Sequence, residues 1–383
     1  MTIRIAPIYA MIFWCWCPLP AMAQQLWNAS NRNATKETVS LHYSLQHFYA
    51  GGQVLLGHQD ALAYGVGWRY EPGRSDVLEV TGAYPALYGW ELGNLELDST
   101  RNLDGVPFDF MRRAIRQGYD SGAVITLSWH ANNPLTGKTA WDPVAGTVKG
   151  ILPGGDRHVL FLSWLDKIAA FIGSLRGPRG EPIPVLFRPW HELTGNWFWW
   201  GQNLCTPSEF RQMWQLTVER LQIHHQLNNI LWVYNTSDFD NAAHFLDRYP
   251  GNESVDVISF DSYMYPTKEG DGSQKYSERV GRSLGTLRHL GDSLHKVPAL
   301  AETGYEAIPE SDWFTKIVRP LMKSNPVSYV LFWRNAGKMP DTQKMHFYVP
   351  YAGHGSAVDF RNFANNAPMV NGAALQRKKI YTQ

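Results

Sequence analysis

Pro184-Val185-Leu186-Phe187-Arg188-Pro189-Trp190-His191-Glu192 begins as a short β-strand and ends in a cluster of polar and aromatic groups. Seven further runs share its β-like character: Gln53–Gly57, Ala86–Trp90, Ala123–Ser128, Ile230–Tyr234, Val255–Phe260, Ala299–Glu302 and Tyr329–Trp333. Between them lie helix-length segments with apolar residues three and four apart, namely Val106–Tyr119, Leu160–Leu175, Ser208–His225 and Ser311–Lys323. The segment at Ser208 follows Thr206-Pro207, a capped start with proline in the first turn. Eight β runs alternating with helices imply an α/β fold, a single-domain (β/α)8 TIM barrel. The 383 residues fit one large barrel. An open doubly wound sheet would want a glycine-rich phosphate turn after its first strand, and Gly57-His58-Gln59-Asp60 is not one.

Barrel enzymes carry their chemistry at the C-terminal ends of the strands. Here those ends read Ser128-Trp129-His130, Arg188-Pro189-Trp190-His191-Glu192, Asp261-Ser262-Tyr263, Glu302-Thr303-Gly304 and Trp333-Arg334-Asn335. One such end means little, but five together point to a cleft. Glu192 and Glu302 close the fourth and seventh strands, which face each other across a barrel mouth. A lone glutamate at a strand end is more often an ion-pair partner. Two of them on these strands, each flanked by aromatics, suit a retaining glycosidase, which needs carboxyl groups about 5–5.5 Å apart. One of the pair must hold a proton near neutral pH, as burial and a nearby carboxylate would make it do. Trp190 and Trp197 are candidate apolar walls around Glu192. Arg188 and Tyr263 are candidate hydrogen-bond donors that keep Glu302 ionised.

The stretch Arg188-Pro189-Trp190-His191-Glu192-Leu193-Thr194-Gly195-Asn196-Trp197-Phe198-Trp199-Trp200-Gly201 resembles the acid/base motif of glycoside hydrolase family 26. Thr126-Leu127-Ser128-Trp129-His130 with Asn133-Pro134 and Trp141 resembles that family's third-strand motif. Similar likenesses hold for Phe260-Asp261-Ser262-Tyr263, Ala301-Glu302-Thr303-Gly304, Phe332-Trp333-Arg334-Asn335 and the loop Tyr348-Val349-Pro350-Tyr351-Ala352-Gly353-His354. The resemblance covers residues 24–383 almost throughout. It implies an endo-β-1,4-mannanase on a (β/α)8 barrel, with Glu192 as general acid/base and Glu302 as nucleophile. It further implies that His191 holds the sugar and tunes the carboxylates, and that His130 bonds a sugar hydroxyl beside the cut. Trp141, Trp197 and Trp333 become stacking platforms, Tyr263 orients Glu302, and Arg334 and Asn335 line the glycone side. One carboxylate after the second strand is expected to face sugar, and Glu96 is chosen over Glu91. The substrate implied is mannan, glucomannan or galactomannan. An exo-acting release of mannobiose, or a β-1,3-xylanase or mixed-linkage glucanase on the same scaffold, are the alternatives within the class. A non-catalytic glycan-binding protein is the alternative outside it, and such a protein has no need of both Glu192 and Glu302.

Other residues have plainer readings. His58 is expected to be buried and hydrogen-bonded, and His224-His225 to end a helix, where cations suit the dipole. Trp199 and Trp200 divide evenly between core and cleft wall. Asp261 is read as support for the catalytic groups, and His354 either reaches the cleft or caps its loop.

Composition agrees with a carbohydrate enzyme. The 16 Trp, 18 Tyr and 17 Phe exceed what a core alone requires, and sugar rings stack on aromatic faces. Lys+Arg 35 against Asp+Glu 34 offers no field for nucleic acid or an anionic membrane. Residues 1–23 read as a signal peptide, with Arg4, an apolar stretch Ala10–Leu19 and Ala21-Met22-Ala23 before the cut. Export to periplasm, cell surface or medium is therefore expected, without stable membrane insertion because the apolar run is too short to span. Residues 24–383 form the catalytic domain, with Cys205 their lone cysteine and no disulfide. No metal or organic cofactor is expected, since double displacement needs neither. A monomer acting on β-mannan polysaccharide or its oligosaccharides is the expected working form.

Overall fold

The structure is a computed structural model that describes residues 27–266 and 272–382. The expected signal peptide and its cleavage point lie outside the described residues. Eight parallel strands form the barrel: β1 Val54–Gln59, β2 Leu87–Glu91, β3 Val124–Trp129, β4 Val185–Pro189, β5 Ile230–Thr236, β6 Val257–Met264, β7 Val297–Tyr305 and β8 Tyr329–Phe332. Each pairs with the next, and β8 returns to β1 in register from Leu55–Tyr329 to His58–Phe332. Every β run read from the sequence falls on one of these strands. Met369-Val370 adds a short parallel pairing beside the start of β1.

Helices cover the outside. Those that bear on the argument are α1 Lys36–Ala50, α2 Phe108–Asp120, α3 His158–Ser174, α4 Pro207–Val218 and α5 Ser273–Leu294. The start of α4 is a full capping box: the Thr206 hydroxyl accepts from the Glu209 N–H, and the Glu209 carboxylate accepts from the Thr206 N–H. The expected helix from Ser311 to Lys323 is instead a π turn at Phe314–Val318 followed by a short α-helix at Arg319–Ser324.

The strands divide the core into two layers because successive side chains alternate between the faces of a sheet. On β4, Val185 and Phe187 pack outward beneath the helices while Leu186 packs inward. The inner layer holds Leu55, Leu87, Val124, Leu231, Val233, Val257 and Val297, and Leu41, Leu45 and Phe48 of α1 join it. Truncating one such residue, Leu186→Ala for example, is worth about 2–5 kcal/mol. Toward the strand C-termini the inward series turns polar: Leu186 gives way to Arg188, Val233 to Asn235, and Ser259 to Asp261. The barrel thus has an apolar floor and a hydrophilic mouth.

One strand breaks the alternation. On β7 the register slips beside β6, with Phe260 opposite Leu300 but Asp261 opposite Glu302. Ala301 is the extra residue of this bulge. Leu300 packs in the outer layer and Ala301 in the inner one. Glu302, which strict alternation would turn outward, points into the mouth instead. Bulges commonly re-aim a side chain beside an active site.

Candidate active site

The chain after β4 is held in an unusual backbone path. Trp190 and Glu192 both have positive φ, at 54° and 56°. Non-glycine residues in that region cost about 1–3 kcal/mol each and persist only where their surroundings fix them. Trp190 is fully buried, its ring 5.0 Å from Trp129, 5.4 Å from Trp199 and 5.5 Å from Trp200. Its indole N–H donates to Thr217 of α4. Trp200 donates to the His191 carbonyl at 2.8 Å and Trp199 to the Ala131 carbonyl at 2.9 Å. These two tryptophans are therefore core, which settles their even division. They brace the path that presents Glu192.

Glu192 and Glu302 meet across the mouth. Carboxylate oxygens of Glu192, Asp261 and Glu302 lie within 4.8 Å of one another. Glu302 is 4% exposed and accepts from Tyr263 Oη at 2.6 Å and from the Arg188 guanidinium. Arg188 also donates to Asp261 at 2.7 Å, and Asn235 donates to Asp261 at 2.9 Å. Asp261 is thus a support for Arg188, and that buried guanidinium compensates the charge of the acidic group. Glu192 differs from Glu302 in its surroundings. Its backbone N–H donates to Asn235 Oδ1 at 3.0 Å, and one carboxylate oxygen accepts from Trp197 Nε1 at 2.6 Å. Burial, then the Glu302 charge, pushes the Glu192 carboxyl up to about 7 against the pull of Trp197. Burial and the same charge hold the Tyr263 phenol well above its ordinary value, so it remains a donor.

Aromatic faces flank the pair. Trp197 is 43% exposed and Trp141 is 49% exposed, the latter stacked on His130 at 4.9 Å with an interplanar angle of 13°. Tyr265 lies beside Tyr263 and is largely exposed. Trp333 is partly exposed, and Arg334 pairs with Asp104 at 3.2 Å. The structure brings all of these to the same end of the barrel.

Four assignments change. Glu96 is fully buried and accepts from Trp129 Nε1 at 3.0 Å and from the Asn132 backbone and side-chain N–H groups, both at 2.8 Å. It braces the loop after β3 and does not face sugar. Asn335 is also buried; it donates to Asp76 and the Val349 carbonyl and accepts from the Tyr348 and Val349 N–H groups. It ties down the late loop and does not line the glycone side. His130 has both ring nitrogens engaged within the protein, Nδ1 with Glu91 at 2.8 Å and Nε2 with His191 at 3.0 Å. A sugar hydroxyl reaches it only by displacing one of them. His191 is 1% exposed, so its part is played through His130 and the chain beside Glu192 rather than by open contact with sugar.

The plainer readings fall into place around these. His58 is buried as expected, beside Asn335 and Trp333, but neither ring nitrogen finds a hydrogen-bond partner among the described residues; burial pushes it down to about 3, which keeps it neutral. His225 follows the π turn Glu219–His224 that continues α4 and pairs with Asp166, and His354 bonds Ser356 within its loop. Sequence reading missed Asn235 and set Glu91 aside in favour of Glu96. The signal was available for both: Asn235 is the next inward position after Val233, and Glu91 is the second after Leu87.

Comparison with known proteins gives this geometry a family. A model of glycosyl hydrolase family 26 matches residues 30–282. A mannan endo-1,4-beta-mannosidase of Bifidobacterium adolescentis is 29% identical over 88% of this chain, and the chain spans only 35% of that relative's length. A mannan endo-1,4-beta-mannosidase of Bacillus subtilis is 26% identical, covering 66% of this chain and 67% of its own. Among solved structures, a family 26 beta-mannanase from Bacteroides ovatus superposes with a TM-score of 0.84 at 40% identity, over 88% of this chain and 96% of that one. A catalytic domain of a Bacillus sp. family 26 endo-beta-1,4-mannanase gives 0.84 at 29% identity, over 94% and 97%. The chain belongs to glycosyl hydrolase family 26.

Proposed function

We propose that the protein is a retaining endo-β-1,4-mannanase. The observation that carries this reading is the Glu192–Glu302 approach within 4.8 Å. Inverting enzymes hold their carboxyl groups about 6.5–9.5 Å apart to admit a water molecule, whereas retaining enzymes hold them at about 5–5.5 Å. Glu302, ionised and oriented by Arg188 and Tyr263, attacks the anomeric carbon. Glu192 gives its proton to the departing glycosidic oxygen as that bond breaks. A glycosyl ester on Glu302 results. Glu192, now a carboxylate, takes a proton from water, whose oxygen displaces Glu302 and restores both groups.

The named activities of the relatives support β-mannan as substrate. The exposed rings of Trp141 and Trp197, both packed on Phe198 near Glu192, support binding of an extended chain and cleavage within it. Export is read from the leader-like residues 1–23, and a monomeric working form is part of the same proposal. The test is the product profile over time on mannan and galactomannan, run beside Glu192→Ala and Glu302→Ala. A spread of oligomers that both variants abolish is expected. Early mannobiose alone would replace endo with exo action, and binding without any reducing-sugar release would overturn the enzyme reading.

A further inference from the structure

The bulge that aims Glu302 is visible from both neighbours of β7. Beside β6, the three residues Leu300, Ala301 and Glu302 face only Phe260 and Asp261. Beside β8, Leu300 lies opposite Val330 and Thr303 opposite Phe332, so three steps along β7 match two along β8. A slip of one residue moves every side chain beyond it to the other face of the sheet. Past the bulge, Glu302 therefore faces the mouth and Thr303 faces the outer helices. In an unbulged strand the two would exchange. The Glu302 carboxylate would then enter the apolar outer layer and Thr303 the mouth.

Thr303 is fully buried and its hydroxyl is fully used. Oγ1 donates to the Ser262 carbonyl at 2.8 Å and lies 2.6 Å from Tyr276 Oη. A threonine hydroxyl has one hydrogen, and the Ser262 carbonyl takes it, so Tyr276 is the donor of the second bond. Tyr276 is itself fully buried in the first turn of α5. The two bonds run from helix to β7 to β6 just beyond the bulge, where the backbone ladder is disrupted. Three residues along the same helix face, Arg279 donates to the Tyr263 carbonyl at 2.7 Å and pairs with Asp238 at 3.0 Å. Helix α5 thus holds Ser262 through Thr303 and Tyr263 through Arg279, and the Tyr263 hydroxyl donates to Glu302 at 2.6 Å. With Thr303 turned inward, the buried Tyr276 hydroxyl would lose the acceptor it has here, which burial makes costly.

We propose that Thr303 is a positioning residue: its hydroxyl locks the bulged register of β7 and so keeps Glu302 in the mouth against Tyr263 and Arg188. This rests on Glu302 acting as the nucleophile. Attack needs the carboxylate about 3–3.5 Å from the anomeric carbon and in line with it, and a displacement of about 1 Å can cost about a hundredfold in rate. The exposed rings of Trp141 and Trp197 are not on β7, so loosening the register should fall on kcat and leave KM unchanged.

The experiment separates the hydroxyl from packing. Thr303→Val keeps the shape of the side chain and removes the hydroxyl; Thr303→Ser keeps the hydroxyl and removes the methyl. On a soluble manno-oligosaccharide, Thr303→Val should lower kcat by about tenfold or more with KM unchanged, and Thr303→Ser should restore most of the loss. Tyr276→Phe removes only the outer donor and should lower kcat in the same sense by a smaller factor. A packing role would invert the order of the first two, with Thr303→Ser the weaker enzyme. That order, a change confined to KM, or native kcat in Thr303→Val would overturn the proposal; should the valine substitution prevent folding, native kcat in Tyr276→Phe would overturn it instead. Glu302→Gln measured alongside distinguishes the two claims. Native turnover there would sink the nucleophile reading itself, whereas an inactive Glu302→Gln beside a native Thr303→Val would sink only the role of Thr303.

Discussion

Replacing Glu302 by glutamine should lower the pKa of Glu192. Glu192 sits at about 7 against an ordinary 4.5, a rise on the order of 3 kcal/mol in favour of its protonated form. The Glu302 oxygen lies within 4.8 Å. A full charge at 4.8 Å is worth about 3.5 kcal/mol at an effective dielectric of about 20. That figure is the size of the whole rise, but burial is the larger cause, while Trp197, His130 and Arg188 act in the opposite sense. Removing the charge should therefore leave the burial contribution and lower Glu192 by about one unit. The assay is a ¹³C-carboxyl NMR titration of glutamate-labelled protein, with the Glu192 signal assigned by its loss in Glu192→Gln. A midpoint unchanged from wild type in Glu302→Gln would refute the coupling. The sign also fixes the pH profile of the native enzyme: the acid is lost as pH rises through about 7, so activity should fall there. Esterification of Glu302 in the glycosyl-enzyme neutralises the same charge. The drop measured in the glutamine variant is thus the drop that turns Glu192 from acid into base for the second step.

Two further substitutions probe the scaffold of the pair. Arg188→Met leaves Asp261 and Glu302 buried without their shared cation, and should cost about 3–5 kcal/mol. With about 2.1 cal/mol/K of unfolding entropy per residue, that is a fall in Tm of roughly 4–7 °C, measurable by calorimetry; a loss below about 1 °C would show that the network contributes little. At Gly195 an added Cβ would meet the Trp197 ring at 2.4–2.6 Å. Gly195→Ala should displace the indole from Glu192 and cut kcat/KM by about tenfold or more, with far-UV circular dichroism unchanged, and native kinetics would show that the Trp197 contact is dispensable.

How far the sequence discloses this site depends on where each residue stands relative to a repeating pattern. The eight strands were legible because apolar runs alternate with helix-length segments. Glu192 and Glu302 were legible because barrel geometry gathers the strand ends. Which face a residue takes within a strand is a parity question, and parity decided the errors. Leu87, Gly89 and Glu91 are successive inward positions on β2, so alternation selects Glu91; Glu96 lies beyond the strand, where no period applies. Asn335 falls in a loop whose partners, Asp76 and Val349, lie 259 and 14 residues away. Glu302 itself is aimed correctly only because Ala301 is bulged, and no local feature of Pro298-Ala299-Leu300-Ala301 announces a register slip. The long helix α5 and the floor helix α1 were not read at all. The apolar positions of α1, Leu41, Leu45 and Phe48, are interleaved with buried Ser40, His42, Ser44 and Gln46, which blurs the amphipathic pattern.

The tryptophans sharpen what aromatic abundance means in such a sequence. Sixteen of them suggested sugar platforms. Yet Trp90, Trp129, Trp190, Trp199, Trp200, Trp214, Trp232 and Trp313 are all fully buried. Among the described tryptophans, Trp141 and Trp197 are the most exposed; Trp197 donates to Glu192 and Trp141 stacks on His130. The buried group around Trp190 answers a different need. Two left-handed residues in three positions, at Trp190 and Glu192, must be held against about 1–3 kcal/mol of backbone strain each. Large rigid rings that also donate to the Ala131 and His191 carbonyls supply that constraint with little entropy to lose. Most of the aromatic excess near this motif therefore fixes the position of Glu192, and only the smaller exposed part remains to stack on a ligand.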